Sequence, residues 1–113
     1  MAAQQLNTFK TVTADLTTAD TIYYTTPTRK SAIFLAVNAA NLTNATVTAS
    51  FFHGSVANVK TAIVKDFKIP PGDSMSIISA GSKLVLETNQ KIFASASANN
   101  SVQLVMSVLE SVN

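Results

Sequence analysis

Near its C-terminal end the chain alternates strictly: Val102, Leu104, Met106 and Val108 fall on one side of an extended backbone, and Gln103, Val105, Ser107 and Leu109 on the other. A period of two is the signature of a β-strand, and here both sides carry large apolar groups. Just upstream, Ile92, Ala94, Ala96 and Ala98 alternate with Phe93, Ser95 and Ser97, giving a small-residue face that permits close sheet-to-sheet approach. The stretch from Phe67 to Ala98 reads as a meander. Pro70 and Pro71 fix φ and lack an N–H, so the strand ending at Ile69 must stop there. Gly72 can take the positive φ of a tight reversal, and Asp73 can bond the turn backbone. Met75, Ile77 and Ile78 restart an extended run. The Gly81-Ser82 turn, the short apolar strand Leu84, Val85, Leu86 and an Asn89-Gln90 turn complete it.

The earlier segments repeat the pattern. Thr21 to Thr26 is rich in β-branched and aromatic residues and stops at Pro27, and Thr28 to Ser31 make a turn. In Ala32 to Ala39, Ile33, Leu35 and Val37 share one face and Phe34 takes the other, which predicts burial on both sides. The turn Asn41-Leu42-Thr43-Asn44 leads to a strand from Val47 to His53. A loop over Gly54 to Asn58 precedes a strand from Lys60 to Ile69, with Ile63, Phe67 and Ile69 on one face. Residues 1–18 are ambiguous by period, because Leu6, Phe9, Val12 and Leu16 recur at three and four residues. Their threonines and valine disfavour a helix, so an extended N-terminal arm or first strand is predicted.

The expectation is therefore an all-β protein: an antiparallel β-sandwich of about eight strands, jelly-roll or immunoglobulin-like, with residues 1–18 as an extended N-terminal arm or first strand and 19–113 as a single domain. Periodicity does not distinguish the two strand orders.

Composition sharpens this. The chain has 113 residues, 47% hydrophobic but only 12% charged, with Thr, Ser and Asn making up the deficit. A surface so poor in charge associates readily unless partners cover it, which suggests an assembly subunit. With 8 basic and 6 acidic residues the net charge is +2, too weak to predict nucleic-acid or membrane binding. There is no cysteine, so stability must come from packing or oligomerisation. MAAQQLNTFK lacks the pattern of a secretory signal, and no apolar run is long enough to span a bilayer. A protein made and folded in the cytoplasm is the expectation.

Chemistry is sparse. His53 is the single histidine, and Ser74 or Ser55 could be paired with it, but no Gly-x-Ser-x-Gly elbow supports a nucleophile. The carboxylates Asp15, Asp20, Asp66, Asp73, Glu87 and Glu110 are scattered, without the spacing of a calcium site, and no Cys/His set exists for zinc. Gly81-Ser82-Lys83 lacks the preceding glycine of a P-loop. Arg29, Lys30, Lys60, Lys65 and Lys68 read as solvated charges on turns and edges rather than a single-strand-binding strip. The triplets at Asn41, Asn44 and Asn99 fit the glycosylation pattern but read as turns. No catalytic, cofactor or metal residue is assigned.

The segments at Tyr24–Pro27 (Tyr-Thr-x-Pro), Ile33–Val47, Ile69–Ser74 (Ile-Pro-Pro-Gly-x-Ser), Leu84–Glu87 (Leu-Val-Leu-Glu) and Ser107–Glu110 (Ser-x-Leu-Glu) together resemble a family of small structural proteins of tailed bacteriophages. The resemblance covers roughly residues 20 to 110 and contains no catalytic signature; where such families carry Gly-Asp, this chain has Asn89-Gln90. It implies a non-enzymatic β-sandwich virion component in many copies, decorating or cementing the capsid or belonging to the neck or tail. Its partners would be copies of itself and other capsid, neck or tail proteins, with no small-molecule substrate, nucleic acid, membrane or cofactor. Leu6, Phe9, Phe34, Val105 and Leu109 are the candidate subunit-interface residues. The alternative is a carbohydrate-binding or adhesive module on a tail or cell surface, with Tyr23, Tyr24 and the Asn41/Asn44 turn as its contacts.

Overall fold

The computed structural model describes residues 7–55, 59–78 and 83–112. They form the strands β1 (Asn7–Asp15), β2 (Thr21–Thr25), β3 (Lys30–Asn41), β4 (Val47–Gly54), β5 (Lys60–Ile69), β6 (Ser74–Ile78), β7 (Leu84–Leu86), β8 (Lys91–Ala96) and β9 (Val102–Val112). Two antiparallel sheets face each other. The front sheet runs β1-β9-β3-β6, with β7 also paired to β3, and the back sheet runs β2-β8-β4-β5. The pairings are nested: β4 with β5, β3 with β6 and β7, β2 with β8, β1 with β9. That is one long hairpin wound on itself, so the jelly-roll order holds and the immunoglobulin-like order does not.

Residues 7–15 are the edge strand of the front sheet, in unbroken register with β9 from Asn7↔Ser111 to Asp15↔Gln103. Residues 1–6, including the candidate Leu6, lie outside the described residues. The Gly81-Ser82 turn and the middle of the Gly54 to Asn58 loop lie outside them too.

The core is filled by the inward half of each alternation. Val102, Leu104, Met106 and Val108 of β9 face Ile92, Ala94 and Ala96 of β8 and Val47, Ala49 and Phe51 of β4, all buried. The small residues of β8 let the sheets close over large ones opposite, as the sequence suggested. Phe34 is completely buried and meets Tyr24 edge-on, ring centroids 5.1 Å apart at 87°. Each such ring removes 150–250 Å² from water, so this pair is a main contributor where the two sheets meet.

Two faces differ from the alternation read in the sequence, and a bulge explains each. In β3 the register against β9 slips between Phe34 and Ala36. Ala32 and Phe34 point inward before the slip, and Val37 and Ala39 after it, so Val37 joins Phe34 inside instead of Ile33 outside. In β5 the register against β4 slips twice between Ala49 and Phe52, and Asp66 takes a left-handed φ of 52°. Ser50 pins this bulge: its hydroxyl accepts the Asp66 N–H at 2.9 Å. Ile69 stays buried while Phe67, near the edge, is left 43% exposed.

The turns follow their local chemistry. Gly72 has φ 66°, and the Asp73 N–H closes onto the Pro70 carbonyl at 3.1 Å. Asn89 supplies the same left-handed conformation at φ 67°, with the Gln90 N–H on the Glu87 carbonyl. Asn41 organises the loop beside the Pro-Pro turn. Its amide donates to the carbonyls of Ala45, Ile69 and Pro70, at 2.8, 3.0 and 3.1 Å, and its side-chain oxygen accepts from the backbone and hydroxyl of Thr43.

Candidate subunit interface

The outward half of the front sheet is assembled from the other phase of the same strands. Register aligns Phe9 of β1, Leu109 of β9, Ile33 of β3 and Val85 of β7 in one row across the sheet. Phe9 is 75% exposed, Val85 56%, and Ile33 and Leu109 partly. One row of small residues, Thr11, Ser107 and Ala36, separates them from Val105, 43% exposed, which sits between Thr13 and Asn38. Among the described residues, apolar side chains here have no second layer to pack against. Among the described strand residues pointing out from this face, Asp15 at one end is the single charged one; the others are Asn, Gln, Ser, Thr and apolar.

The opposite face contrasts with it. The outer side of the back sheet carries Lys60, Lys65, Lys68 and Lys91 with Asp20 and Asp66. Lys60 lies over the rings of Phe52 and Phe93, 5.4 and 5.5 Å from their centroids, and pairs with Asp20. The hydrogen bond from Lys60, reinforced by Ser95, holds the Asp20 carboxyl below its ordinary value. Phe93 also covers Gly54, where a Cβ would collide with the ring. Asp20, Ser50, Asp66, Ser95 and Ser97 line a groove of about 470 Å³ on this face.

At the Phe9 end, a buried ionic cluster ties the edge strand to the rest of the molecule. The Glu110 carboxylate is fully buried; it accepts from the Tyr24 hydroxyl of the back sheet and pairs with Lys10 of β1 at 3.0 Å and Lys30 of β3 at 3.5 Å. Burial opposes its ionisation, but the phenol and the two ammonium groups outweigh burial and keep the carboxyl below its ordinary value. Burial, and then the carboxylate, push the Tyr24 phenol well above its ordinary value. The cluster joins four strands from both sheets.

The structure separates the sequence candidates. Phe9, Val105 and Leu109 share the outer front face. Phe34 does not: the bulge after it leaves it inward, so it holds the core and cannot meet a neighbour. Ile33 and Val85 belong to the face but were not singled out; counting by two from Leu109 across the sheet identifies them only once register is known. Glu110 is one of six carboxylates scattered along the sequence, and its position two residues after Val108 on the inward phase of β9 sets it inside.

His53 Nε2 meets the Gln90 side chain at 3.2 Å, and Ser74 lies in the other sheet. Among the described residues no group of His, Asp or Glu is placed to hold a metal. Of the proposed carbohydrate contacts, Tyr24 bonds Glu110, the Tyr23 hydroxyl donates to the Asp15 carbonyl and Asn41 is buried in its loop, while Asn44 is exposed.

No protein-family model matches the chain, and no curated protein does. Solved structures do. One is a protein of Bacillus endospore appendages, of a family of disulfide-linked pili: 14% identity over 97% of this chain and 91% of that one, with a TM-score of 0.53. Another is from the infectious bursal disease virus Gx strain, at 9% identity over 97% of this chain and 38% of that one, with a TM-score of 0.42. The first likeness establishes a shared fold.

Proposed function

We propose that this chain is a non-enzymatic structural subunit that works in many copies within an assembled particle, and specifically a tailed-phage virion component that decorates or cements the capsid or serves the neck or tail. The observation that carries this reading is the outer front face, whose described strand residues include one charge, Asp15 at its end, with its row of Phe9, Leu109, Ile33 and Val85. Burying an apolar side chain of that size contributes about 1.5–3 kcal/mol, whereas association costs about 4–15 kcal/mol. One such contact barely holds two copies together. Several such side chains on one face together offset that cost, and many copies held in one particle add avidity to it.

The fold is shared with a protein of disulfide-linked pili, a second support for an assembly role. This chain has no cysteine, so disulfides do not link its copies. The phage assignment rests on the sequence resemblance across residues 20 to 110. Quantitative mass spectrometry of purified particles tests it: a stoichiometric, multi-copy signal is expected. Absence from particles, together with monomeric sedimentation at every concentration, overturns it.

A further inference from the structure

We propose that the outer face of the front sheet is a two-fold interface with a second copy of this chain, in which Phe9 of each copy seats in the cleft beside Val105 of the other. This rests on the reading of the chain as a self-assembling subunit and adds which face is used and with what symmetry.

Charge selects the occupant. Stacking the front face of one copy on the back face of the next would strip water from Lys65, Lys68, Lys91 and Asp66 and offer them a single carboxylate, Asp15 at one end, among alkyl groups, hydroxyls and amides. Front against front buries almost no charge and leaves both back faces in water. Such a contact uses the same patch on both copies and closes as a two-fold.

Shape fits the same arrangement. Phe9 projects at one end of β1, and at the other end residues 13–15 of β1 and 103–105 of β9 line a cleft of about 390 Å³. Between them lies the Thr11–Ser107 row. A two-fold axis lying in the face along that row, perpendicular to the strands, exchanges the rows on either side of it. It sets Phe9 over the partner's Thr13 and the cleft, and Leu109 over the partner's Val105. Small side chains on the axis allow the sheets to reach the usual face-to-face spacing of about 10 Å. Strands about 4.8 Å apart and about 3.4 Å per residue make the face about 20 by 35 Å, or about 700 Å², close to the about 800 Å² per partner of a stable interface.

Because the chain has no cysteine, single cysteines can be placed cleanly. Ser107→Cys on the axis and Lys68→Cys on the back face are each treated with a short bismaleimide in solution. Covalent dimers are expected from the first and not from the second. Phe9→Asp, at an exposed edge position, is expected to keep the β-sheet circular-dichroism spectrum and weaken self-association in sedimentation by about a hundredfold. Cross-linking through Lys68→Cys alone, or unchanged association of Phe9→Asp, means that copies meet elsewhere; that overturns the two-fold face and leaves the multi-copy subunit intact. A wild-type chain that stays monomeric and cross-links at neither position overturns the two-fold face outright, and the particle mass spectrometry then decides the subunit reading by itself.

Discussion

The hydroxyl of Tyr24 in the back sheet donates its hydrogen bond to the carboxylate of Glu110 in the front sheet. This is a polar rivet through an otherwise apolar sandwich, and its value lies in the partner it would abandon. Tyr24→Phe removes a hydrogen bond to a charged group and is expected to cost about 1.5–3 kcal/mol. Glu110→Ala leaves the buried Tyr24 hydroxyl without its acceptor, while Lys10 and Lys30 turn to water, and costs about 1–3 kcal/mol. Lys10→Met, at a half-exposed position, costs under about 1 kcal/mol. Thermal unfolding, at about 4 °C per kcal/mol for a domain of this size, ranks the three.

The same cluster makes stability depend on acid. The Glu110 carboxyl titrates lower in the folded chain than in the unfolded one. Its contribution is therefore fully present above the unfolded carboxylate value of about 4.3, and disappears as pH falls through the lower, folded value. Asp20 acts in the same direction through Lys60. Urea midpoints are expected to fall on acidification below about pH 4.3, and to fall less in Glu110→Gln, which has no carboxylate there to protonate. Equal acid sensitivity in the two proteins would remove Glu110 from the account.

Asn41 separates a deletion from an inversion. Asn41→Ala leaves three carbonyls short of a donor and is expected to cost about 1–3 kcal/mol. Asn41→Asp is nearly the same size but turns a carboxylate oxygen toward those carbonyls, so it is expected to be the more destabilising of the two at neutral pH. Chemical denaturation checks the order. An Asn41→Asp protein as stable as Asn41→Ala would mean that the loop rearranges freely.

Gly54 is constrained by a neighbour and not by its own backbone. A Cβ there collides with the Phe93 ring, which lies under Lys60, so Gly54→Ala is expected to cost about 1–3 kcal/mol. In a Phe93→Ala background the added penalty should largely vanish. A double-mutant cycle measures this, and strict additivity would show that the ring moves aside at no cost.

Sequence periodicity carried far in this chain where strands run straight. The phase of β9 is correct along its length, and the Pro-Pro-Gly turn and the small face of β8 are where the pattern put them. It failed at bulges. One extra residue beside Leu35 reverses the side of everything beyond it, and nothing in Ile33-Phe34-Leu35-Ala36 announces that residue. Straight alternation therefore sets Phe34 opposite Val37, whereas both are inside. The candidate face had a second obstacle: Phe9, Ile33, Val85 and Leu109 come from four separate stretches, and only the register of the strands sets them side by side. The winding order itself lies in the same category, because alternation is identical in a jelly roll and an immunoglobulin-like sandwich.

The nested pairing also sets a timetable. Asn7 finds its register partner in Ser111, and β9, the strand on which both β1 and β3 lean, is the last of the described strands to leave the ribosome. Until it emerges, β1 has no neighbour and β3 lacks one of its own. Contacts so distant along the chain are slow to form, and they leave sticky intermediates in the meantime. A nascent chain that stalls before Val102 is thus not a smaller version of this protein but a substrate for chaperones.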